Sequence, residues 1–349
     1  MKNPSSWDRS DLNNHLQHAL DLELWTIPLY LTALYSIKDL PRTKHEVYPE
    51  TAKLIFSVVI QEMLHAEIVC NLSNALGHSP KFKFPVYDES KGIPFIHPPH
   101  HLLPDDLKGY KVKLQALNKE SLQLFCAIEM PHPKEDIVWE HKGRYDSIAE
   151  LYEALKTGVT ALWDKYYVGD SNNTKQKNNF KEYHNKDGKK HGFSIAINSL
   201  DTALKAIEAI VEQGEGADAK HVPAAFRPHI IGDEIVFDAA WFKGDLSHYH
   251  KFKILLHSHH KLPEVYKEEI TEKSAAANQV MIENYLSFWN VMETNFNTAG
   301  NEMPASFWKG MATLGNSIAD AWQSGMCPNF NLDIANFVPH TPKSGGVPL

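Results

Sequence analysis

Glu62-Met63-Leu64-His65 sets a carboxylate and an imidazole three residues apart inside an apolar helical pattern. The apolar positions around them are Ile55, Val58, Val69, Leu72 and Leu76, and Glu62 and His65 fill slots of the same series. Both side chains therefore point where a core-facing helix would carry oil. A buried carboxylate is costly unless something compensates its charge. A metal ion does so, and Glu-x-x-His on a helix is the unit from which di-iron and di-manganese carboxylate sites in four-helix bundles are built. Upstream, Leu16, Leu20, Ile27, Tyr30 and Leu34 step at threes and fours, and Glu23 falls in that series. One Glu on a first helix and Glu-x-x-His on a second make half of a di-metal site. The plain alternative is a pair of buried glutamates tied up by Arg, Lys or Tyr.

The other half needs one more Glu and a second Glu–His pair. Glu129 lies at the edge of the face defined by Leu114, Phe125 and Ile128, and a helix-end carboxylate bound to backbone or a Lys is its alternative. Glu150 shares a side with Ala154, Gly158 and Ala161, where another helix has room to approach, but it also stands three residues after Ser147, the position of a capping box. Glu208, Glu212 and Glu215 share one helix side. The helix breaks at Gly216, and splicing Gly216 to Ser247 would read Glu215-Gly-Ser-His248, a Glu-x-x-His interrupted by an insertion. Otherwise Glu212 and Glu215 cap a loop and His248 is a surface residue.

These residues need long helices to hold them. Periodicity predicts helices over 11–37 and 50–76, separated by Asp39-Leu40-Pro41 and Tyr48-Pro49, with Gly77 ending the second. Residues 78–110, rich in Pro, Gly and His, read as a crossover running the length of a bundle. Further helices are expected over 111–129, from Ser147 to about Asp164, over about 194–213, and from about Asp245. Between them lie a polar surface loop at 168–193 and an insertion at 217–243 with short extended structure around Glu234-Ile235-Val236-Phe237. Two aromatic-rich helices over about 274–322 are expected to pack on the bundle, and a Pro-rich tail follows from Cys327. The reading is all-α: a four-helix bundle over 10–260, additional helices over 261–325 and an extended tail over 326–349, together one elaborated domain.

Composition removes several alternatives. A net charge of −8 over 349 residues argues against nucleic acid as the main partner. No stretch reads as a membrane span, and Met1-Lys2-Asn3-Pro4-Ser5-Ser6-Trp7 lacks the apolar core of a secretory signal, so a cytoplasmic protein is expected. Cys70, Cys126 and Cys327 form neither a metal spacing nor a disulfide framework. Most of the 20 histidines, such as His97, His100, His101, His259 and His260, read as surface or loop residues.

Leu22-Glu23-Leu24-Trp25-Thr26-Ile27-Pro28-Leu29-Tyr30-Leu31, Gln61-Glu62-Met63-Leu64-His65 and Asn74-Ala75-Leu76-Gly77 resemble the ferritin-like domain of the iminophenyl-pyruvate dimer synthase group, whose members occur in violacein and indolocarbazole pigment biosynthesis. The resemblance continues through Ile128-Glu129-Met130-Pro131, Ser147-Ile148-Ala149-Glu150-Leu151-Tyr152, Gln213-Gly214-Glu215-Gly216 and Ser247-His248-Tyr249-His250-Lys251-Phe252. Gln61 and Ala149 stand where that group often has Glu and Gly; neither is a proposed ligand. The resemblance implies a ferritin-like bundle with a metal-dependent oxidative role. On that reading Glu23 and Glu150 (or Glu129) are terminal ligands, Glu62 and Glu215 bridge, and His65 and His248 complete each iron, with Glu212 and nearby Tyr and Trp side chains around them. Carboxylates are hard anionic donors and imidazoles suit iron. The expected activity is a non-haem di-iron oxidase or oxygenase using O2 on a small organic substrate in specialised biosynthesis. Manganese is the other candidate ion, and a homo-oligomer is compatible. The alternatives are metal storage without an organic substrate, or a haem-dependent imine-dimerising enzyme; without a Cys-x-x-Cys-His motif any haem would be non-covalent.

Overall fold

The computed structural model describes residues 1–42, 47–131, 139, 143–180, 196–214, 229–231, 234–236 and 246–330. Two long helices form its spine, α1 (Arg9–Tyr35) and α2 (Glu50–Ala75). Asp8 starts α1 with a full capping box: its side chain accepts from Ser10 and Asp11, and Asp11 returns a bond to the Asp8 backbone. Gly77 (φ +68°) ends α2 in the left-handed region, as expected of a glycine just past a helix.

After α2 the chain runs without a long helix to α3 (Lys119–Ile128). This crossover is packed, not draped. Phe82, Tyr87, Leu103, Leu107 and Val112 are buried, Trp25 Nε1 donates to the Val86 carbonyl, and Tyr87 donates to that of Trp25. The expected helix over 111–129 begins eight residues late. Asn118 caps it through a reciprocal bond pair with Ser121, and Leu114 and Leu117 reach the core from irregular chain.

α4 (Ile148–Tyr166), α5 (Leu200–Gly214) and α6 (His248–His257) follow, with a short antiparallel pair between the last two, β1 (His229–Ile231) and β2 (Glu234–Val236), in which Ile230 faces Ile235. The small face of α4 receives Trp7, not a helix. A Cβ on Gly158 would lie 2.0 Å from Trp7 Cε3, so glycine is what admits the indole.

α7 (Glu272–Phe296) and α8 (Ala305–Gln323) pack on each other, and α8 lies on α1, where Trp322 Nε1 donates to the Thr32 carbonyl. The tail begins pinned: Phe330 is buried against Tyr285, and the Asn329 N–H donates to Asn278. The remainder, 331–349, lies outside the described residues.

Within the polar stretch that begins at 168, residues 170–172 are solvated as their polarity suggests, but 175–180 are docked on α2. α2 carries a second buried polar stripe, Glu67, Asn71 and Asn74, stepping by four and three. Glu67 accepts from the backbone and side-chain N–H groups of Asn179. Asn71 exchanges bonds with the backbone of Lys177, and Asn74 donates to the carbonyls of Lys175 and Phe296. The buried Lys177 ammonium donates to Thr298 and Gly300 carbonyls just past α7. Residues 181–195 lie outside the described set.

Contrary to the expectation from sequence, α2 is long and apolar enough to cross a membrane by length and composition. Yet 78% of its most apolar window is buried inside the fold, so the apolarity is that of a core helix.

Candidate metal centre

The five described residues that form the centre come from three helices and the end of a fourth. Glu23 stands midway along α1, and Glu62 and His65 face it from α2. Glu129 is the residue that ends α3, and His248 is the first residue of α6, whose cap is Ser247. All five are 3% exposed or less, and His248 is fully buried. α1 against α2 and α3 against α6 are packed pairs, so each pair delivers its side chains from one side of the bundle.

One donor atom each from Glu62, His65 and His248 lies within 4.8 Å of the others, a group able to hold a metal ion. The pairs are closer still. His65 Nδ1 is 3.3 Å from Glu23 Oε2; His248 Nδ1 is 2.8 Å from Glu62 Oε1 and 3.6 Å from Glu129 Oε2. Two donors at a right angle on one ion, each about 2.1 Å from it, stand about 3 Å apart. The two imidazoles lie 5.3 Å apart, nearly parallel at 27°.

The hydrogen bonds decide which nitrogen is free. His65 Nε2 is 3.0 Å from Gln213 Oε1, an oxygen that only accepts, so Nε2 carries a proton and Nδ1, which faces Glu23, is the nitrogen a metal ion would use. Neither ring nitrogen of His248 has a hydrogen-bond partner among the described residues. An orphaned imidazole in a dry interior is what a missing ligand leaves behind. The donor set of carboxylates and imidazoles fits iron or manganese, and the residues present therefore fit a metal centre.

The carboxylates are held at their far oxygens. Tyr30 donates to Glu129 Oε1 at 2.5 Å, Tyr152 donates to Glu23 Oε1, and Thr26 Oγ1 lies 2.8 Å from Glu62 Oε2. Tyr30 is itself wedged against Phe125 and Phe252, which close the centre on the α3–α6 side. Burial, then the neighbouring Glu129 and Glu23, push the Glu62 carboxyl well above the usual range. Burial also acts on Glu23, but the hydrogen bond and charge of His65, with Tyr152, hold it below its ordinary value. Burial lowers the affinity of His248 for a proton and raises those of Tyr30 and Tyr152. Without metal, Glu62 is thus the carboxyl that keeps its proton.

The remaining sequence candidates divide. Glu150 is buried at the start of α4, where its N–H donates to Ser147 Oγ and its Oε2 accepts from the Asp146 N–H at 2.5 Å, the capping geometry. Glu129, not Glu150, stands beside His248. Glu212 is exposed on α5, and Glu208 pairs with Lys156 at the surface. Glu215 lies outside the described residues. The end of α5 does reach the centre, since Gln213 meets His65 and a Cβ on Gly214 would come within 3.4 Å of Glu129 Oε2.

A family model for ferritin-like proteins matches residues 16–257, more than half the chain and every element that feeds the centre. The chain belongs to the ferritin-like family. Among solved structures, this ferritin-like chain is similar to a ferritin-like protein from Caulobacter vibrioides, at 28% identity and a TM-score of 0.70, over 93% of this chain and 99% of that one. No curated protein matches it.

Tyr30 and Tyr152, which border the centre, are among the tyrosines expected around it, while Thr26, Gln213 and Lys251 border it with no such expectation from sequence. Three of them had a signal: Tyr30 and Thr26 share the helix face of Glu23, and Lys251 is one turn after His248. Nothing local marks Tyr152 or Gln213.

Proposed function

We propose that this ferritin-like protein is a metal-dependent oxidase or oxygenase that uses O2 on a small organic substrate, with iron as the resident ion and manganese as the alternative. The observation that carries this reading is the convergence of Glu62, His65 and His248 on one point of a dry interior, beside Glu23 and Glu129. His65 and Glu23 would hold one ion, His248 and Glu129 a second, with Glu62 between them. Glu215 remains a candidate for the last carboxylate. Iron bound there would supply the electrons that reduce O2. The chain's own part is to orient and to exclude water. Gln213 fixes the His65 ring, Tyr30 and Tyr152 hold the outer carboxylate oxygens, and the packed crossover covers α1. A pigment-type imine dimerisation is one member of this reaction class and is included as a candidate activity.

Elemental analysis and an optical spectrum of the purified protein test the proposal, followed by Fe(II) addition with an oxygen electrode. About two irons per chain, no Soret band and O2 uptake limited to a few equivalents are expected. Iron taken up far beyond two per chain would favour storage, and a Soret band would favour haem. Protein that ignores supplied Fe(II) and O2 would sink the reading.

A further inference from the structure

Lys251 is 2% exposed, yet no carboxylate forms an ion pair with it among the described residues. Its Nζ donates at 2.6 Å to the neutral Oε1 of Gln61, the neighbour of Glu62 in sequence. Buried ammonium groups are rare because desolvation disfavours their charge, and they persist beside compensating anions. The anions here belong to the centre. Lys251 lies three residues after His248 on α6, and its charge bears on Glu129 from the end of α3 and on Glu62 from α2. It also disfavours a proton on His248. α5 brings the uncharged Gln213 to the same region. Burial pulls the lysine down to about 7 even though both glutamates oppose that. Below about pH 7 a cation thus sits beside a set of ligands suited to cations, without itself being a ligand.

We propose that Lys251 is a positioning residue that serves as the resident counter-cation of the glutamate centre, offsetting the charge of Glu129 and the charge that Glu62 acquires when a metal ion displaces its proton, and so weakening the centre's hold on divalent ions. This rests on the reading of the centre as a metal site. The ammonium reaches the site through Gln61 and through space. Removing the charge without removing the side-chain volume leaves the carboxylates with surplus negative potential, and the site should then bind a divalent ion more tightly. A merely structural lysine predicts the reverse, because losing it would loosen α6 and His248.

The test is Mn(II) titration of the full chain below pH 7, where Lys251 is charged, with free Mn(II) followed by electron paramagnetic resonance, for wild type, Lys251→Met and Lys251→Arg. Lys251→Met should bind Mn(II) at least fivefold more tightly, while Lys251→Arg, which keeps the charge, should stay within about twofold of wild type. Lys251→Gln, which keeps a polar partner for Gln61, should tighten binding as well and replaces Lys251→Met if that variant does not fold. Unchanged or weaker binding by the neutral variants, with wild type binding normally, overturns the role of Lys251 alone. Binding by neither wild type nor the neutral variants overturns both this role and the metal centre.

Discussion

Nδ1 of His248 stands 2.8 Å from Oε1 of Glu62, and yet neither ring nitrogen makes a hydrogen bond. The two residues come from α6 and α2, far apart in the chain, and an imidazole aimed at a carboxylate without bonding to it is poised for a third party. His248→Ala should therefore cost metal binding more than it costs the fold. Removing a group that merely orients a ligand typically weakens metal binding 10- to 100-fold, and loss of a ligand should do at least as much. Elemental analysis and Mn(II) titration should show at least a tenfold loss with the helical circular dichroism retained. Unaltered metal content would mean that His248 is not a ligand.

The carboxyl of Glu62 gives the metal-free protein a defined pH response. Its folded pKa lies well above the ordinary 4.5, so over the window above pH 4.5 the folded chain holds a proton that the unfolded chain has released. Stability then falls as pH rises, until Glu62 itself ionises. Two neighbours act in the opposite sense. Glu23, lowered, contributes stability that is present above its ordinary 4.5 and lost as pH falls, and His248, lowered, contributes stability that is present above 6.5 and lost below it. Lys251, lowered from 10.5, adds stability with rising pH above about 7. The Glu62 term is isolated by comparison with Glu62→Gln. The melting temperature of metal-free Glu62→Gln, relative to metal-free wild type, should climb as pH rises above 4.5 and level off once Glu62 ionises in the folded chain. Parallel curves would show that Glu62 does not keep its proton.

Gln213 should matter through its oxygen. It accepts from His65 Nε2 and leaves Nδ1 free, so Gln213→Leu should weaken Mn(II) binding by about 10-fold, the low end for loss of such a partner. Gln213→Glu preserves an acceptor and should stay within a few-fold of wild type. Equal affinities for the Leu variant and wild type would assign the His65 tautomer to some other group.

The parts of this centre that were legible in sequence are those encoded by helical period. Glu23, Glu62 and His65 could be read because each replaces an apolar residue in a regular series. Tyr30 belongs to the same series and reads there as one more apolar residue, since periodicity reports burial and not what a hydroxyl touches. Glu129 and Glu150 could not be separated because both lie at helix ends, where local signals describe capping. Only the approach of α6 to α3 puts Glu129 beside His248. Gln213 and Tyr152 acquire their roles solely through contacts between distant segments. The late start of α3 has the same origin: Leu114 and Leu117 are spaced like a helix face but are half-buried and buried by tertiary packing, and the cap at Asn118 sets the boundary.

The same limit hid the polar stripe on α2, and that stripe carries the last prediction. Glu67 is 3% exposed and accepts at 3.0 Å from the Asn179 N–H and at 2.6 Å from its Nδ2, while burial raises its pKa. Glu67→Ala would strand two half-buried donors of Asn179 and loosen the hold of α2 on residues 175–180. Leaving a buried polar group unsatisfied costs about 1–3 kcal/mol. Glu67 and His65 project to different sides of α2, so metal binding should be spared. Chemical denaturation should show a loss of about 1–3 kcal/mol, and limited proteolysis should cut sooner near Lys175 and Lys177, with Mn(II) affinity within about twofold of wild type. A Glu67→Ala protein as stable as wild type would mean that the docked segment is held by Asn71, Asn74 and Lys177 without Glu67.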